Sequence, residues 1–307
     1  MADALPRTLE EPGRPILDVF TASDGYRWHF RKFTPPCVEP AAQAREPLLA
    51  PRAHELRGRV IFLHGIQSHG GWYSRSSAQI AAAGYEVYFL DRRGSGLNRA
   101  KRGDAPGFRR LLDDIAEFIR GLPDDGVPKV LAAISWGGKL GVALQYRHPG
   151  LVDGLALLCP GLFAKVSPPF LTRMRIGGAR MIRPTRQFGI PLIDPKLFTD
   201  SSTWQRYVRE EPLGLRTATA RLLFSSLGLD IYLRRAWKRV TLPVLLLLAE
   251  HDQIVDNAKV RAYVERLPAK EKRIIEYPGA RHTLEFEEEE PPIVGDLVRW
   301  LGGIAHR

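Results

Sequence analysis

Val130-Leu131-Ala132-Ala133-Ile134-Ser135-Trp136-Gly137-Gly138-Lys139-Leu140 decides how the rest of the chain is read. It begins as an apolar run suited to a buried strand. It ends in a helix-forming segment, Lys139 to Tyr146, with almost no room for a loop between. A strand that turns so sharply into a helix holds its corner residue strained, with the side chain presented outward. Here that residue is Ser135. Strand and helix backbones nearly touch at such a corner, so the positions two before and two after must be small, and Ala133 and Gly137 are. The pattern is small-x-Ser-x-Gly, with alanine where a nucleophile elbow usually has its first glycine. Serine is also a common helix N-cap, so the motif alone leaves two readings open.

The segments around it repeat the same design. Arg59 to Leu63, Tyr85 to Leu90, Leu155 to Cys159, Val244 to Ala249 and Arg273 to Tyr277 are short β-prone runs. Between them, Ser76 to Ala83, Phe108 to Ile119 and Ala258 to Leu267 carry helical patterns, and a last helix runs from about Pro292 to Leu301. Continuous apolar strands alternating with amphipathic helices predict an α/β fold with a mostly parallel sheet and helices on both faces. Upstream, Ile16 to Thr21 and Arg27 to Phe33 alternate polar and apolar residues around Ser23-Asp24-Gly25, a hairpin signature. Residues 1 to 14 and Pro35 to Arg59 read as irregular. Residues 163 to 240 break the rhythm with their own helical, Arg-rich pattern. They read as an inserted helical lid in a core formed by residues 1–162 and 241–307, outside the sheet.

Composition narrows the classes. The 307 residues are 44% hydrophobic and 26% charged, as in a soluble globular protein. No apolar run approaches the roughly 20 residues of a membrane-spanning helix. No basic stretch followed by an apolar one opens the chain, so the expectation is a cytoplasmic protein. Cys37 and Cys159 lie far apart, and neither a disulfide framework nor a zinc site is read from them. The net charge of +11 is concentrated: Phe163 to Val240 holds 15 Lys and Arg against 5 Asp and Glu. No helix-turn-helix, zinc or RNP-type signature accompanies it, so nucleic acid is not the expected partner.

Ligands of an open parallel sheet bind beyond the carboxyl ends of its strands. Those ends carry His64-Gly65, Asp91, Ser135, Asp252 and His282 in turn. A serine hydroxyl needs a general base to take its proton, and that base needs a carboxylate to hold its tautomer. Ser135, Asp252 and His282 supply the three in the order Ser, Asp, His. Two other acids lie close to Asp252. Asp256 sits where it would cap the following helix, and Glu250 lies too near the buried strand.

These residues resemble the α/β-hydrolase superfamily, and within it the monoacylglycerol lipase and lysophospholipase group classified with serine aminopeptidases. The resemblance runs from about Val60 to the C-terminus. It is carried by His64-Gly65-Ile66-Gln67-Ser68-His69-Gly70-Gly71-Trp72-Tyr73, the elbow at Ser135, Asp194-Pro195 and the tail around His282. It implies an oxyanion hole from the backbone N–H groups of Ile66 and Trp136, and it puts His64, Gly65 and Gln67 against the substrate. It makes Asp91-Arg92-Arg93-Gly94-Ser95-Gly96 a structural turn. Trp136 departs from the Met or Leu common at that position, and so large an indole narrows the acyl pocket.

The expected activity is cofactor-independent, metal-free cleavage of a carboxylic ester with a lipophilic acyl chain, such as a monoacylglycerol or lysophospholipid. A proline-iminopeptidase-like aminopeptidase is the alternative enzyme, although His64-Gly65-Ile66-Gln67-Ser68 lacks that group's His-Gly-Gly-Pro-Gly. A catalytically inactive binding module is the alternative of another class. In the lid, Phe163, Phe170, Leu171, Met174, Ile182 and Phe188 are candidates for an acyl tunnel or for the lid's own core. Its basic residues suit contact with an anionic membrane surface.

Overall fold

A computed structural model describes residues 14–36, 56–287 and 292–305. Cys37, most of the stretch between Pro35 and Arg59, and nearly all of the first fourteen residues lie outside these. The hairpin forms as expected from β1 (Ile16–Thr21) and β2 (Arg27–Phe33). It is followed by β3 (Gly58–Leu63), α1 (Ser74–Ala82), β4 (Tyr85–Leu90), α2 (Phe108–Arg120), β5 (Lys129–Ile134), α3 (Trp136–Arg147) and β6 (Gly154–Leu158). Then come α4 (Phe170–Ile182), β7 (Gln187–Gly189), α5 (Ser202–Glu210), β8 (Thr217–Thr219) and α6 (Ala220–Ala236). The chain closes with β9 (Val244–Ala249), α7 (Asn257–Glu265), β10 (Lys272–Tyr277) and α8 (Ile293–Ala305).

Eight strands form one sheet in the order β1-β2-β4-β3-β5-β6-β9-β10. Only the β1–β2 and β2–β4 pairings are antiparallel. Every other neighbouring pair is parallel, so β3 to β6, β9 and β10 all end on one edge. The central strands β3, β5, β6 and β9 are buried almost throughout, which is why they read as unbroken apolar runs. Helices cover both faces. Phe62 and Ile134 face α1 and α8, while Leu63, the next residue, faces α2 and α3.

Residues 163–240 are not purely helical. Gln187–Gly189 pairs antiparallel with Thr217–Thr219 in a ribbon separate from the main sheet. Three-residue strands give no period to detect, and their partners lie far apart in sequence. Helix α6 packs along α3. Ile190, Leu192, Phe198 and Leu222 join the main core, whereas Phe170, Leu171, Met174, Met181 and Ile182 on α4 stay exposed. Among the described residues no helix is long and apolar enough to cross a membrane.

Candidate active site

The corner at Ser135 is strained, with φ 52° and ψ −123°, well inside the region that favours glycine. Its backbone is fastened on each side. Ser135 N–H donates to the Leu158 carbonyl at 3.0 Å, and its own carbonyl accepts from Gly161 at 2.7 Å and Gly138 at 2.8 Å. Although Ser135 occupies the N-cap position of α3, its hydroxyl caps nothing. That disposes of the second reading of the motif.

The small residues around the corner act differently from the simplest expectation. A Cβ on Gly137 would meet the carbonyls of Leu63 and His64 at 2.6 and 2.7 Å, so this glycine admits the end of β3. Ala133 faces Gly141 instead, where an added Cβ would come within 2.9 Å of the alanine methyl. The methyl is accommodated because the helix is bare one turn further on.

Three chain segments converge on Ser135. His282 Nε2 lies 2.8 Å from Ser135 Oγ, and His282 Nδ1 lies 2.7 Å from Asp252 Oδ2. A carboxylate only accepts, so Nδ1 carries the proton and Nε2 keeps a lone pair for the serine hydroxyl. The other oxygen of Asp252 accepts from the amides of Ile254 and Val255 at 2.8 and 2.9 Å, which fixes the carboxylate. Asp252 and His282 are buried, and Ser135 is half-buried. The rival acids are elsewhere. Asp256 caps α7 through the Lys259 amide, and exposed Glu250 accepts from Gly279.

Cys159, at the end of β6, brings its sulfur to within 4.8 Å of the Asp252 and His282 ligand atoms. Burial pushes its thiol pKa well up, and Asp252 and His282 are already spent on one another and on two amides. The donors therefore fit a hydrogen-bonded relay better than a metal.

The loop after β3 forms the opposite wall. A Cβ on Gly65 would sit 3.2 Å from Ser135 Cβ, so a side chain there would crowd the serine, and glycine lets the loop come this close. His64 does not face the site as a substrate contact. Its Nε2 accepts from the Arg92 amide at 3.1 Å, and its Nδ1–H donates to the Gly65 carbonyl at 2.7 Å. Burial, reinforced by the Arg92 charge, pushes its pKa down to about 3, so the ring is neutral. What His64 holds is the Gly65–Ile66 peptide, whose N–H belongs to Ile66. Gln67 is buried, and its carbonyl accepts from Leu215 at 2.8 Å. The Trp136 amide opens α3, where first-turn N–H groups have no carbonyl of their own helix to bond.

Two further anchors were not legible in the sequence. His69 Nδ1 accepts from Gly71, so its Nε2–H donates to Glu211 Oε2 at 3.0 Å, a buried pair between the β3 loop and residues just past α5. The Trp136 indole does not stand free above the serine. Its Nε1–H donates to Ser226 Oγ of α6 at 2.9 Å, and Lys139 pairs with Asp230 one turn further along both helices. The Asp91–Gly96 turn is structural in its main parts. Asp91 accepts from Arg31, Gly70 and Leu97. Arg93 pairs with Asp114 and Asp24.

Residues 54–289 match the family model described as serine aminopeptidase, S33. The chain is 26% identical to the monoacylglycerol lipase of Mycolicibacterium smegmatis over 255 residues, which cover 80% of this chain and 88% of that protein. It is 25% identical to the monoglyceride lipase of Homo sapiens, over 79% of this chain and 82% of that one. Among solved structures, the monoacylglycerol lipase of Paleococcus ferrophilus superposes with a TM-score of 0.77 at 24% identity, covering 94% and 99% of the two chains. A soluble variant of the Saccharomyces cerevisiae monoglyceride lipase, in complex with a substrate analogue, superposes with a TM-score of 0.80 at 18% identity, covering 98% and 99%.

Proposed function

The chain belongs to the serine aminopeptidase S33 family of α/β-hydrolases, and from that premise we propose that it hydrolyses carboxylic esters with a lipophilic acyl chain through an acyl-enzyme. The observation that carries the reading is a strained serine whose hydroxyl caps nothing and lies 2.8 Å from a histidine already oriented by a buried carboxylate.

In this mechanism Ser135 Oγ attacks the ester carbonyl while His282 Nε2 takes its proton. Asp252 stabilises the imidazolium and does not itself take up the proton. The N–H groups of Ile66 and Trp136 receive the charge that develops on the carbonyl oxygen, with His64 holding the Gly65–Ile66 peptide for that purpose. His282 then protonates the leaving alcohol. Water, deprotonated by the same nitrogen, releases the acid. Every proton is handled by this chain's own side chains, and no step calls for a metal or cofactor.

Monoacylglycerols are the first candidate substrates and lysophospholipids the second. Relatives called monoacylglycerol or monoglyceride lipase support the former, and the 25% identical Lysophospholipase L2 of Escherichia coli supports the latter. The aminopeptidase reading has the description of the family model behind it but none of the relatives named here, and the inactive-module reading has neither. In this proposal residues 163–240 are a cap over the serine. Their exposed apolar residues on α4, next to Arg173, Arg175 and Arg183, suit a cytoplasmic enzyme that rests on anionic lipid to collect its substrate.

The test is fluorophosphonate labelling of parent and Ser135→Ala chains, together with a panel of p-nitrophenyl esters, monoacylglycerols, lysophospholipids and aminoacyl anilides. Labelling confined to the parent, with turnover of the lipid esters, is expected. A folded parent that neither labels nor turns over any ester ends the proposal. Preferential cleavage of the anilides would move it to the aminopeptidase.

A further inference from the structure

Arg92 does not behave like the rest of its turn. Asp91 and Arg93 on either side of it are bound into ion pairs. The Arg92 guanidinium bonds no carboxylate among the described residues, although the side chain is only 7% exposed. Its Nη1 donates to Ser95 Oγ at 2.6 Å, its Nη2 donates to the Ile66 carbonyl, and its Nε is buried without a partner. Its face lies 5.0 Å from the centre of the Trp136 ring. Its backbone N–H is the donor that fixes the His64 tautomer.

A buried cation without a carboxylate partner is costly, and a turn of this length has no need of one. What its contacts share is the oxyanion hole. The two amides of that hole belong to different parts of the fold, Ile66 to the loop after β3 and Trp136 to the start of α3. The Arg92 guanidinium touches both residues, at the Ile66 carbonyl and over the Trp136 ring. The Arg92 backbone N–H holds His64, which in turn holds the peptide that carries the Ile66 N–H. Burial lowers its pKa to about 9, which leaves it charged at neutral pH.

We infer that Arg92 is the positioning residue of the oxyanion hole, clamping the Ile66 loop to the Trp136 ring and holding a positive charge against the two residues that supply the donors. The inference rests on the hydrolase reading above. When Ser135 Oγ bonds to the ester carbon, the π pair of the C=O moves onto oxygen. A fixed cation in a water-poor site favours that anion and does little for the neutral ester. The role therefore belongs to kcat and to the binding of tetrahedral mimics. A role in packing alone would appear in thermal stability.

The experiment uses the full chain and its Arg92→Met and Arg92→Lys variants. It measures kcat and KM on a p-nitrophenyl ester, the inhibition constant of an alkyl trifluoromethyl ketone, and the melting curve. Removing a donor outright costs about 10²–10³-fold in kcat, so loss of the clamp should cost roughly 10- to 100-fold in Arg92→Met. KM should stay within about threefold, and the ketone should weaken in step with kcat. Arg92→Lys keeps the charge and loses the fork, and should fall between the two. If Arg92→Met fails to melt cooperatively, Arg92→Lys decides by the same readouts. Folded variants whose kcat and ketone affinity stay within about threefold of an active parent overturn this inference alone. A parent that turns over no ester overturns the hydrolase reading and this inference with it.

Discussion

The sheet edge that carries the serine and the segment from 163 to 240 use positive charge in opposite ways. At the edge and in the sheet, arginines are buried and mostly committed. Arg31 binds Asp91, Arg59 binds Glu86 and Asp125, and Arg93 binds Asp114 and Asp24. Burial opposes the charge on Asp91, but the Arg31 guanidinium 2.9 Å away holds its pKa below the usual range. In the segment, Arg221 reaches back to Asp104 of the body. Arg173, Arg175, Arg183, Arg234, Arg235 and Arg239 are exposed and meet no carboxylate among the described residues, beside apolar side chains that are exposed as well. A desolvated arginine is costly unless it is paired or hydrogen-bonded, whereas one in water costs little to leave alone. The edge thus spends charge on rigidity, and the segment leaves it available to a partner.

The comparison breaks first if the edge is not the chemical centre. Ser135→Ala, His282→Ala and Asp252→Asn should each lower kcat about 10⁴- to 10⁶-fold with little change in melting temperature. Because the three act as a unit, the triple variant should be scarcely worse than the worst single one. Steady-state kinetics with active-site titration decides it.

Charge in the segment should matter for binding and not for chemistry. Neutralising Arg234, Arg235, Lys238 and Arg239 should weaken sedimentation with anionic vesicles by up to about a thousandfold, at about 1 kcal/mol per charge. Turnover of a short, monomeric p-nitrophenyl ester should be unchanged. Parent binding should collapse near 0.5 M salt, where the screening length is roughly 4 Å. Equal association with neutral and anionic vesicles would erase the contrast between the two regions.

Rigidity at the edge can be probed through Gly137. An alanine there would press its methyl into the backbone carbonyls of Leu63 and His64, and should cost about 1–3 kcal/mol in denaturant unfolding. His64 gives a pH signature. It titrates at about 3 in the fold and near 6.5 when unfolded, so between those values the unfolded chain binds the extra proton. Its contribution is complete above pH 6.5 and shrinks as pH falls, by about 2 kcal/mol at pH 5. The difference in stability between parent and His64→Asn should narrow by that amount between pH 7 and pH 5. The smallest effect belongs to Asp256→Ala. Losing the α7 cap should cost about 1 kcal/mol and leave kcat within about twofold. A large loss of kcat would instead make Asp256 the acid of the triad.

Much of this molecule is written locally. The hairpin, the parallel strands and the α7 cap at Asp256 follow from periodicity and from side chains that bond their own neighbours. So does the corner at Ser135, because a strand that meets a helix with no loop leaves its backbone few conformations. The order Ser, Asp, His at successive strand ends was equally plain, since a parallel sheet brings those ends to one edge whatever lies between them. What the tertiary structure alone decided are the pairings between distant segments. These are His69 with Glu211, the Trp136 indole with Ser226, the ribbon of Gln187–Gly189 with Thr217–Thr219, the Arg92 amide with His64, and the Arg92 guanidinium with the Ile66 carbonyl and the Trp136 ring. No local pattern encodes them. Each is a buried polar group or a short strand whose partner comes from elsewhere in the sequence, and which partner it has depends on which groups the packing of sheet and helices leaves within a hydrogen bond's reach.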